Sequence, residues 1–334
     1  MSRNTRAVQE QVAENRNETR KIDSFFMLVS TQNDRTISLT RNFIEVEIET
    51  EVYERDLGGG LISGHPNGDE HGSGHGVSGD TRQQWEVQSV TIDSEQLVRG
   101  GRNSIRDALA GEEGAVSFVV VGSDGTSVSS GDESLVSEEG QVFASGLRDD
   151  DNETRARSMP FLFAEYGEEY QEFGVVDQGE RLMSRSVLDA VRESSREKEL
   201  RVDTTFSIQG TGVGDSVITN EGRASVADAI QLPGTTVGFE ELAFGNGETD
   251  PSVTDTSLDN ELFRKGVVRD VESEQVIART KVYENEPSVQ PVDFEELGVY
   301  DNNDRLLYRA LIRSFEKTDQ FEVLVTVGFN VRST

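Results

Sequence analysis

The sequence predicts a mainly β protein in which an N-terminal helix and strand, serving as an anchor, precede two tandemly duplicated β-sandwich-like domains that each carry one short helix. Three observations support this fold class. Apolar residues alternate with polar ones in several stretches, as in half-buried strands. Turn-forming Gly, Asn and Asp residues separate these stretches. Blocks of sequence from the middle of the chain recur in the same order near its end.

The first 90 residues are predicted to form an anchoring segment. Residues 1–22 are polar and locally basic, and Val8 and Val12, one helical turn apart, give a helix too narrow an apolar stripe to dock firmly on its own. A long strand follows with one apolar and one acidic face, because apolar and acidic residues alternate there: Ile44, Val46, Ile48 and Val52 with Glu45, Glu47, Glu49 and Glu51. A loop rich in Gly and His occupies residues 57–80.

A tandem duplication is predicted from residue 91 onward. Gly101-Arg-Asn-Ser-Ile-Arg-Asp-Ala-Leu109 matches Gly222-Arg-Ala-Ser-Val-Ala-Asp-Ala-Ile230 at an offset of 121 residues. Glu172-Phe-Gly-Val-Val-Asp177 with the following Arg181-Leu-Met-Ser-Arg185 matches Glu296-Leu-Gly-Val-Tyr-Asp301 with Arg305-Leu-Leu-Tyr-Arg309 at 124. The offset between matching blocks hardly changes along the chain, and the blocks keep the same order. This predicts two repeat domains at 91–210 and 211–334.

Both copies show the same order of elements. A short helix around residues 105–109 or 226–230 leads to a strand that ends in a Gly turn near Gly122 or Gly247. A loop rich in Ser, Thr and Asp follows, and then three strands. Asp301-Asn-Asn-Asp304 predicts a hairpin turn, and the last strand alternates strictly, with one face formed by Val323, Val325, Val327, Phe329 and Val331.

Composition excludes several classes of function. The chain of 334 residues has 63 acidic and 32 basic residues and a formal net charge of −31, so it would repel nucleic-acid phosphates. It has no Cys, which excludes disulfides, thiolate nucleophiles and Cys-type zinc sites. No apolar run has the length of a membrane span or the form of a secretory signal, so we expect a protein made in the cytoplasm with no membrane partner.

The acidity is of a particular kind. Only five of the 32 basic residues are Lys. In molar salt the Debye length falls to about 3 Å, so surface carboxylates no longer repel one another over useful distances. An acidic chain poor in Lys and free of Cys is similar to proteins of halophilic archaea; an acidic protein of a mesophile is the alternative.

The candidate metal ligands are His65, His71 and His75, the only three histidines in the chain. They lie in one Gly-rich loop beside Asp69 and Glu70, where imidazoles could bind a transition metal. Their spacing matches no closed zinc motif, so an exposed loop without a shared ligand is the competing interpretation. Asp149-Asp-Asp-Asn152 and Asp301-Asn-Asn-Asp304 lack the mid-loop Gly and the closing Glu of an EF-hand, and we expect hydrated acidic turns there.

The sequence predicts no enzyme. Gly212-Val-Gly214 and Gly245-Asn-Gly247 lack the further residues of a phosphate-binding loop. Carboxylates are so abundant that their proximity carries no information about acid–base catalysis, and all histidines lie in one loop. No catalytic residue and no bound cofactor are therefore predicted.

The second copy contains a series of short motifs in a fixed order: Ile218-Thr-Asn-Glu-Gly222, Phe239–Gly247, Thr256–Arg264, Phe294–Asp301 and Phe315-Glu-Lys-Thr318. In these segments it resembles a module of tail-fibre, collar and related virion proteins of tailed viruses. The resemblance covers residues 216–331 and, with the degenerate first copy at about 92–208, about two thirds of the chain. The first copy departs from the pattern, because Val98-Arg-Gly-Gly101 replaces Thr-Asn-Glu-Gly and no Lys-Thr pair precedes its last strand.

Together with the composition, the resemblance implies a virion structural protein of a haloarchaeal tailed virus, made in the host cytoplasm and located in the virion. Its expected place is the tail, baseplate or fibre, and its expected partners are copies of itself, with a trimer favoured, other virion proteins, and a host cell-surface protein or glycan. A capsid turret or decoration protein is the near alternative. A cell-surface adhesion module and a surface-glycan hydrolase are alternatives of another class.

Overall fold

A computed structural model describes residues 29–30, 34–56, 86–87, 92–112, 114–150, 152–162, 169–193, 198–212, 215–231, 237–272 and 275–334. The predicted helix in residues 1–22 and the loop at 57–80 lie outside the described residues. Within the described ranges the chain is mainly β, with two helices, which confirms the predicted fold class.

The N-terminal part and the first copy contain the following elements: β1 Val29–Ser30, β2 Asp34–Asp56, β3 Glu86–Val87, β4 Ile92–Leu97, α1 Arg99–Leu109, β5 Val116–Gly122, β6 Glu138–Asp150, β7 Glu153–Ser158, β8 Phe161–Leu162, β9 Glu169–Asp177, β10 Leu182–Glu193 and β11 Lys198–Thr211. The second copy contains β12 Ser216–Ile218, α2 Asn220–Gln231, β13 Phe239–Gly245, β14 Glu261–Gly266, β15 Val268–Glu272, β16 Gln275–Val282, β17 Val292–Asp301, β18 Leu306–Lys317 and β19 Glu322–Ser333.

The two copies correspond strand for strand. In the first, the hydrogen-bonded order β4-β10-β9-β5-β6 continues through β6 into β7 and β11. In the second, β12-β18-β17-β13-β14 forms one sheet, and β15-β16-β19 corresponds to the second half of β6 with β7 and β11. The difference is that β6 is continuous, whereas its counterpart is divided at Val267 into β14 and β15. The duplication of the gene segment itself stays a prediction.

Strand β2 joins the two copies. Its apolar residues are buried and its acidic residues face outward, as predicted from the alternation. Its second half pairs antiparallel with β11, from Thr211↔Phe43 to Lys198↔Asp56, and its first half pairs parallel with β19, from Glu322↔Asp34 to Ser333↔Val46. Strands β11 and β19 therefore run in opposite directions on either side of β2.

Each helix lies between the two copies and packs on both. Helix α1 packs on β4 and β10 of its own copy and on β16 and β19 of the second, and α2 packs on β18 of its own copy and on β6, β7 and β11 of the first. The hydroxyl of Thr154 in β7 donates to the carbonyl of Ala227 in α2 at 2.7 Å. Ala108 and Ala229, at equivalent positions of the two helices, meet in one small apolar cluster. A contact between equivalent residues is what an approximate two-fold axis between the helices produces.

One hydrophobic core serves all three parts of the chain. It includes Ile44 and Val46 of β2, Phe206 of β11 and Phe329 of β19, none more than 3% exposed. The predicted segments 1–90, 91–210 and 211–334 thus share a core and a sheet, while their boundaries stay a prediction. The predicted last strand is confirmed, since Val323, Val325, Val327, Phe329 and Val331 are all buried along β19.

The start of α2 explains the sequence Ile218-Thr-Asn-Glu-Gly222. The Thr219 hydroxyl accepts a hydrogen bond from the Gly222 N–H at 3.0 Å, which caps the helix, and it also donates to the Leu306 carbonyl. A side chain at Gly222 would place its Cβ 2.3 Å from the Leu307 carbonyl oxygen, so only Gly permits this close packing of α2 on β18. In the first copy Val98 precedes α1 and supplies no such cap.

Candidate functional site: two loops anchored on buried ion pairs

The predicted metal ligands His65, His71 and His75 lie outside the described residues. Among the residues that the structure does describe, no three His, Asp or Glu side chains come together in a group that would hold a metal ion. Six of the eight buried charged residues in the described part of the chain belong to two networks, each of which occurs once in each copy. The other two are Asp203, which binds Arg157, and Lys317.

The first network, the helix–turn network, joins each helix to a hairpin turn. Buried Asp301 accepts hydrogen bonds from the Ser225 hydroxyl at 2.8 Å, from the Arg305 Nε at 2.8 Å and from the backbone N–H groups of Asn303 and Arg305 at 2.8 and 2.9 Å. Arg305 also binds Asp228 of α2 at 2.6 Å. The hairpin turn at 301–304 is confirmed, but the expected hydrated carboxylate is wrong for Asp301, because protein donors surround it.

The first copy repeats this network with equivalent residues. Asp177 accepts from the Ser104 hydroxyl at 2.6 Å and from the Arg181 Nε at 2.8 Å, and Arg181 binds Asp107 of α1 at 2.5 Å. Even the backbone matches, since Glu180 and Asp304 occupy the same turn position with φ of 62°. The Ser, Asp and Arg residues shared by the repeated sequence blocks are therefore those that fasten helix to turn.

The second network, the loop anchor, holds the loop that follows β13. The Glu296 carboxylate is fully buried and accepts the backbone N–H groups of Gly247 at 3.0 Å, Asn260 at 2.9 Å and Asp259 at 3.2 Å. Arg309, 1% exposed, donates to Glu296 from Nε at 3.1 Å and from Nη2 at 3.0 Å. Both ends of the loop 246–260 are thus tied to one buried ion pair.

Arg309 also reaches the middle of this loop. Its Nη1 donates to Asp255 at 2.7 Å, and its Nη2 donates to the Thr249 carbonyl at 3.2 Å. Burial alone would lower the pKa of Arg309, but the hydrogen bonds and negative charges of Asp255 and Glu296 outweigh it and raise the pKa, so the guanidinium is charged. The Thr249 hydroxyl, together with Arg309, holds the pKa of Asp259 below its usual value.

The loop 123–137 of the first copy has the same anchor. Glu172 accepts the Ser137 N–H at 2.8 Å and the Arg185 Nε at 2.8 Å, and Arg185 donates to Asp132 at 2.9 Å. Asp132 in turn accepts the Ser129 N–H, as Asp255 accepts the Ser252 N–H in the second copy. Each loop also inserts one Leu, Leu135 or Leu258, into a small apolar cluster on its five-stranded sheet.

The anchored loops present a rigid polar surface. Outside their anchoring residues they are mostly exposed Ser, Thr, Asp and Glu residues. Each loop begins where a strand of seven residues ends, about 23 Å along that strand from its start. Because these loop side chains are exposed, a neighbouring molecule can reach both loops.

A third polar surface is the outer face of β2. Arg332 binds Glu45 and is the main reason that the pKa of this carboxyl is lowered, and the Thr211 hydroxyl donates to it at 2.9 Å. Glu47 and Glu49 are exposed. Beyond Val46, where the pairing with β19 ends, the backbone N–H of Thr50 donates to the Glu95 carboxylate at 3.0 Å. Burial nevertheless raises the pKa of Glu95, with a contribution from the charge of Glu49.

Comparison of the chain with protein-family models, with curated proteins and with solved structures finds no match. None of the helices in the described ranges combines the length and the apolar character that crossing a membrane requires. The interpretation of the chain therefore rests on its own residues.

The repeated blocks are evident in the sequence, but the loop anchors are not. Glu and Arg are thirteen positions apart in both copies, as Glu172 with Arg185 and Glu296 with Arg309. Charged residues are normally exposed, so nothing in the local sequence indicates that these four are buried. The one sequence feature that indicates their burial is the repeated spacing, because an exposed Glu and Arg pair would have no reason to keep the same spacing in both copies.

Proposed function

We propose that this chain is a non-enzymatic structural subunit of a virus particle, with its place in the tail, baseplate or fibre and its anchored loops making contacts outside the subunit. The observation that carries the proposal is the use of the buried charges. Glu172, Asp177, Arg185, Glu296, Asp301 and Arg309 all hold loops, turns or helices in place. Their hydrogen bonds and ion pairs stabilise the conformation of the subunit.

The two-fold arrangement supports the same role. Because each helix packs on strands of both copies, and β2 pairs with a strand of each, the two copies form one unit that offers similar loops twice. Repeated surfaces on one subunit suit an assembly in which each subunit meets more than one neighbour. The salt-adapted composition and the resemblance of residues 216–331 to tail-fibre and collar modules favour a virion of a haloarchaeal tailed virus.

The experiment has two parts. Analytical ultracentrifugation of the full chain in molar salt is expected to give a closed homo-oligomer, with a trimer favouring fibre or baseplate and a pentamer favouring a capsid turret. Immunogold electron microscopy with antibodies against the loop 246–260 is then expected to label one structure on the virus particles that contain this protein. A monomer at every concentration, or particles without label, would contradict the proposal.

A further inference from the structure

A cleft in the second copy has the chemistry of a binding site. It has a volume of about 550 Å³, within the range of roughly 300–1,000 Å³ usual for ligand pockets. One wall is the segment 283–291 between β16 and β17, and the other is the turn 318–321 between β18 and β19. Its lining combines the apolar rings of Pro287 and Pro291 with polar side chains, among them Asn285, Ser288 and Glu316.

The walls are held in place from beneath. Lys317 is fully buried, and its Nζ donates to the carbonyls of Thr318 at 2.6 Å and Glu284 at 3.2 Å, which joins the two walls. The Gln290 Nε2 donates to the carbonyls of Glu284 at 2.8 Å and Pro287 at 2.9 Å. A cleft held by its own hydrogen bonds loses little conformational freedom when a ligand binds. Lys317-Thr318 is the pair for which the first copy has no counterpart.

Several polar groups of the cleft have no use within the fold. The Gln290 Oε1 is buried and accepts no hydrogen bond. Among the described residues, the side chains of Asn285, Ser288 and Glu316 make no hydrogen bond or ion pair. Asn285, Ser288 and Glu316 are exposed, so their side chains are the groups that a ligand in the cleft can reach, whereas the Gln290 oxygen has no accessible surface.

The kind of group present points to the class of ligand. Amide and hydroxyl side chains both donate and accept, which matches a ligand carrying several hydroxyl groups. The two carboxylates, Glu316 and Asp319, repel anions and accept from hydroxyls. Attraction between charges is screened in molar salt, whereas hydrogen bonds to neutral groups persist. We therefore propose that the cleft between residues 283–291 and 318–321 binds a neutral saccharide.

This inference deepens the proposed function, on which it rests for its biological meaning, by assigning host attachment to one site. Binding is measured on the isolated full chain, so its failure leaves the oligomer and particle-labelling results untouched and the two failures are distinguishable. The probes are an array of neutral, sulfated and uronate-containing oligosaccharides and the peptide tetra-arginine, each followed by calorimetry in molar salt.

The variants are Asn285→Ala and Ser288→Ala, because these side chains hold nothing else in place. Each is expected to weaken binding of a neutral oligosaccharide roughly five- to tenfold, the effect of one hydrogen bond. Ser130→Ala, which removes an exposed hydroxyl in the first copy, is the matched control and is expected to leave affinity unchanged. Circular dichroism of all three variants checks that they fold.

Four results would overturn the proposal. Absence of binding to every oligosaccharide would show that the cleft is not a saccharide site. Binding of tetra-arginine alone would identify a cationic peptide as its ligand, and binding of the acidic oligosaccharides alone would contradict the argument from Glu316 and Asp319. Saccharide binding that Asn285→Ala and Ser288→Ala leave unchanged would place the site elsewhere on the molecule.

Discussion

Replacing Arg309 by Met removes the positive charge of the second loop anchor and keeps most of the apolar stem. The variant loses two hydrogen bonds to Glu296, at 3.1 and 3.0 Å, and one to Asp255, at 2.7 Å. Glu296 is left as a fully buried carboxylate without its counter-charge. Removing one partner of a buried ion pair costs about 3–5 kcal/mol, and we expect the free energy of unfolding to fall by that amount.

Urea denaturation in molar salt measures this loss, and hydrogen–deuterium exchange locates it. The backbone amides of Gly247, Asp259 and Asn260 donate to Glu296, so exchange is expected to accelerate in the loop 246–260 more than in 123–137. Arg185→Met is the matched control, in which exchange is expected to accelerate in the loop 123–137 more than in 246–260. Adding Glu296→Gln to Arg309→Met removes the isolated charge and is expected to recover about 1 kcal/mol or more.

A loss of less than about 1 kcal/mol in Arg309→Met would contradict a structural role for the buried pair, since an ion pair on the surface contributes no more than that. An equal rise of exchange in both loops would contradict the assignment of each anchor to its own loop, because each anchor would then support the whole fold and no particular loop.

Three further perturbations test other parts of the fold. Glu95→Gln is expected to raise the melting temperature at neutral pH. Burial raises the pKa of Glu95 in the folded state, so the ionised carboxylate destabilises the fold above that pKa, and the gain should vanish in acid, where the carboxyl is protonated in both states. An equal gain at all pH values would contradict this expectation. Gly222→Ala places a Cβ 2.3 Å from the Leu307 carbonyl oxygen and is expected to lower the free energy of unfolding by roughly 1–3 kcal/mol. The control Gly131→Ala, with no atom nearer than 3.9 Å to its Cβ, should change that free energy by less than about 0.5 kcal/mol. Equal effects in urea titrations would refute the close packing of α2 on β18. Lowering the salt from molar to about 0.1 M lengthens the Debye length from about 3 to about 10 Å and is expected to unfold or dissociate a chain of net charge −31; circular dichroism and sedimentation that stay unchanged would argue against salt adaptation.

Local pattern was sufficient for most individual elements. Alternation identified β2 and β19, and turn residues placed the hairpin between Asp301 and Leu306. The helices were expected near 105–109 and 226–230 and begin earlier, at Arg99 and Asn220. Gly residues in their first turns argue against a helix in isolation, but here the Gly residues let the helix contact the neighbouring strand.

The arrangement of the two copies could not be predicted from the local sequence pattern. Nothing in β2 indicates that it pairs with both β11 and β19, because the partners are far away in sequence and any apolar-faced strand would satisfy the alternation. The contact between α1 and α2 could not be predicted either, since Ala108 and Ala229 suit any buried helix face. The candidate cleft could not be predicted either, because it arises where two segments separated by a long hairpin meet.

The pairing of β2 with β19 has a consequence for synthesis of the chain. Ile44 of β2 finds its neighbour Val331 only after β19 has been synthesised, almost three hundred residues later, so one edge of the first half of β2 lacks its partner until then. Long-range pairing of this kind is slow, and an open strand edge invites aggregation in the meantime. The acidic outer face of β2 offers protection during that interval, because like-charged nascent chains repel one another.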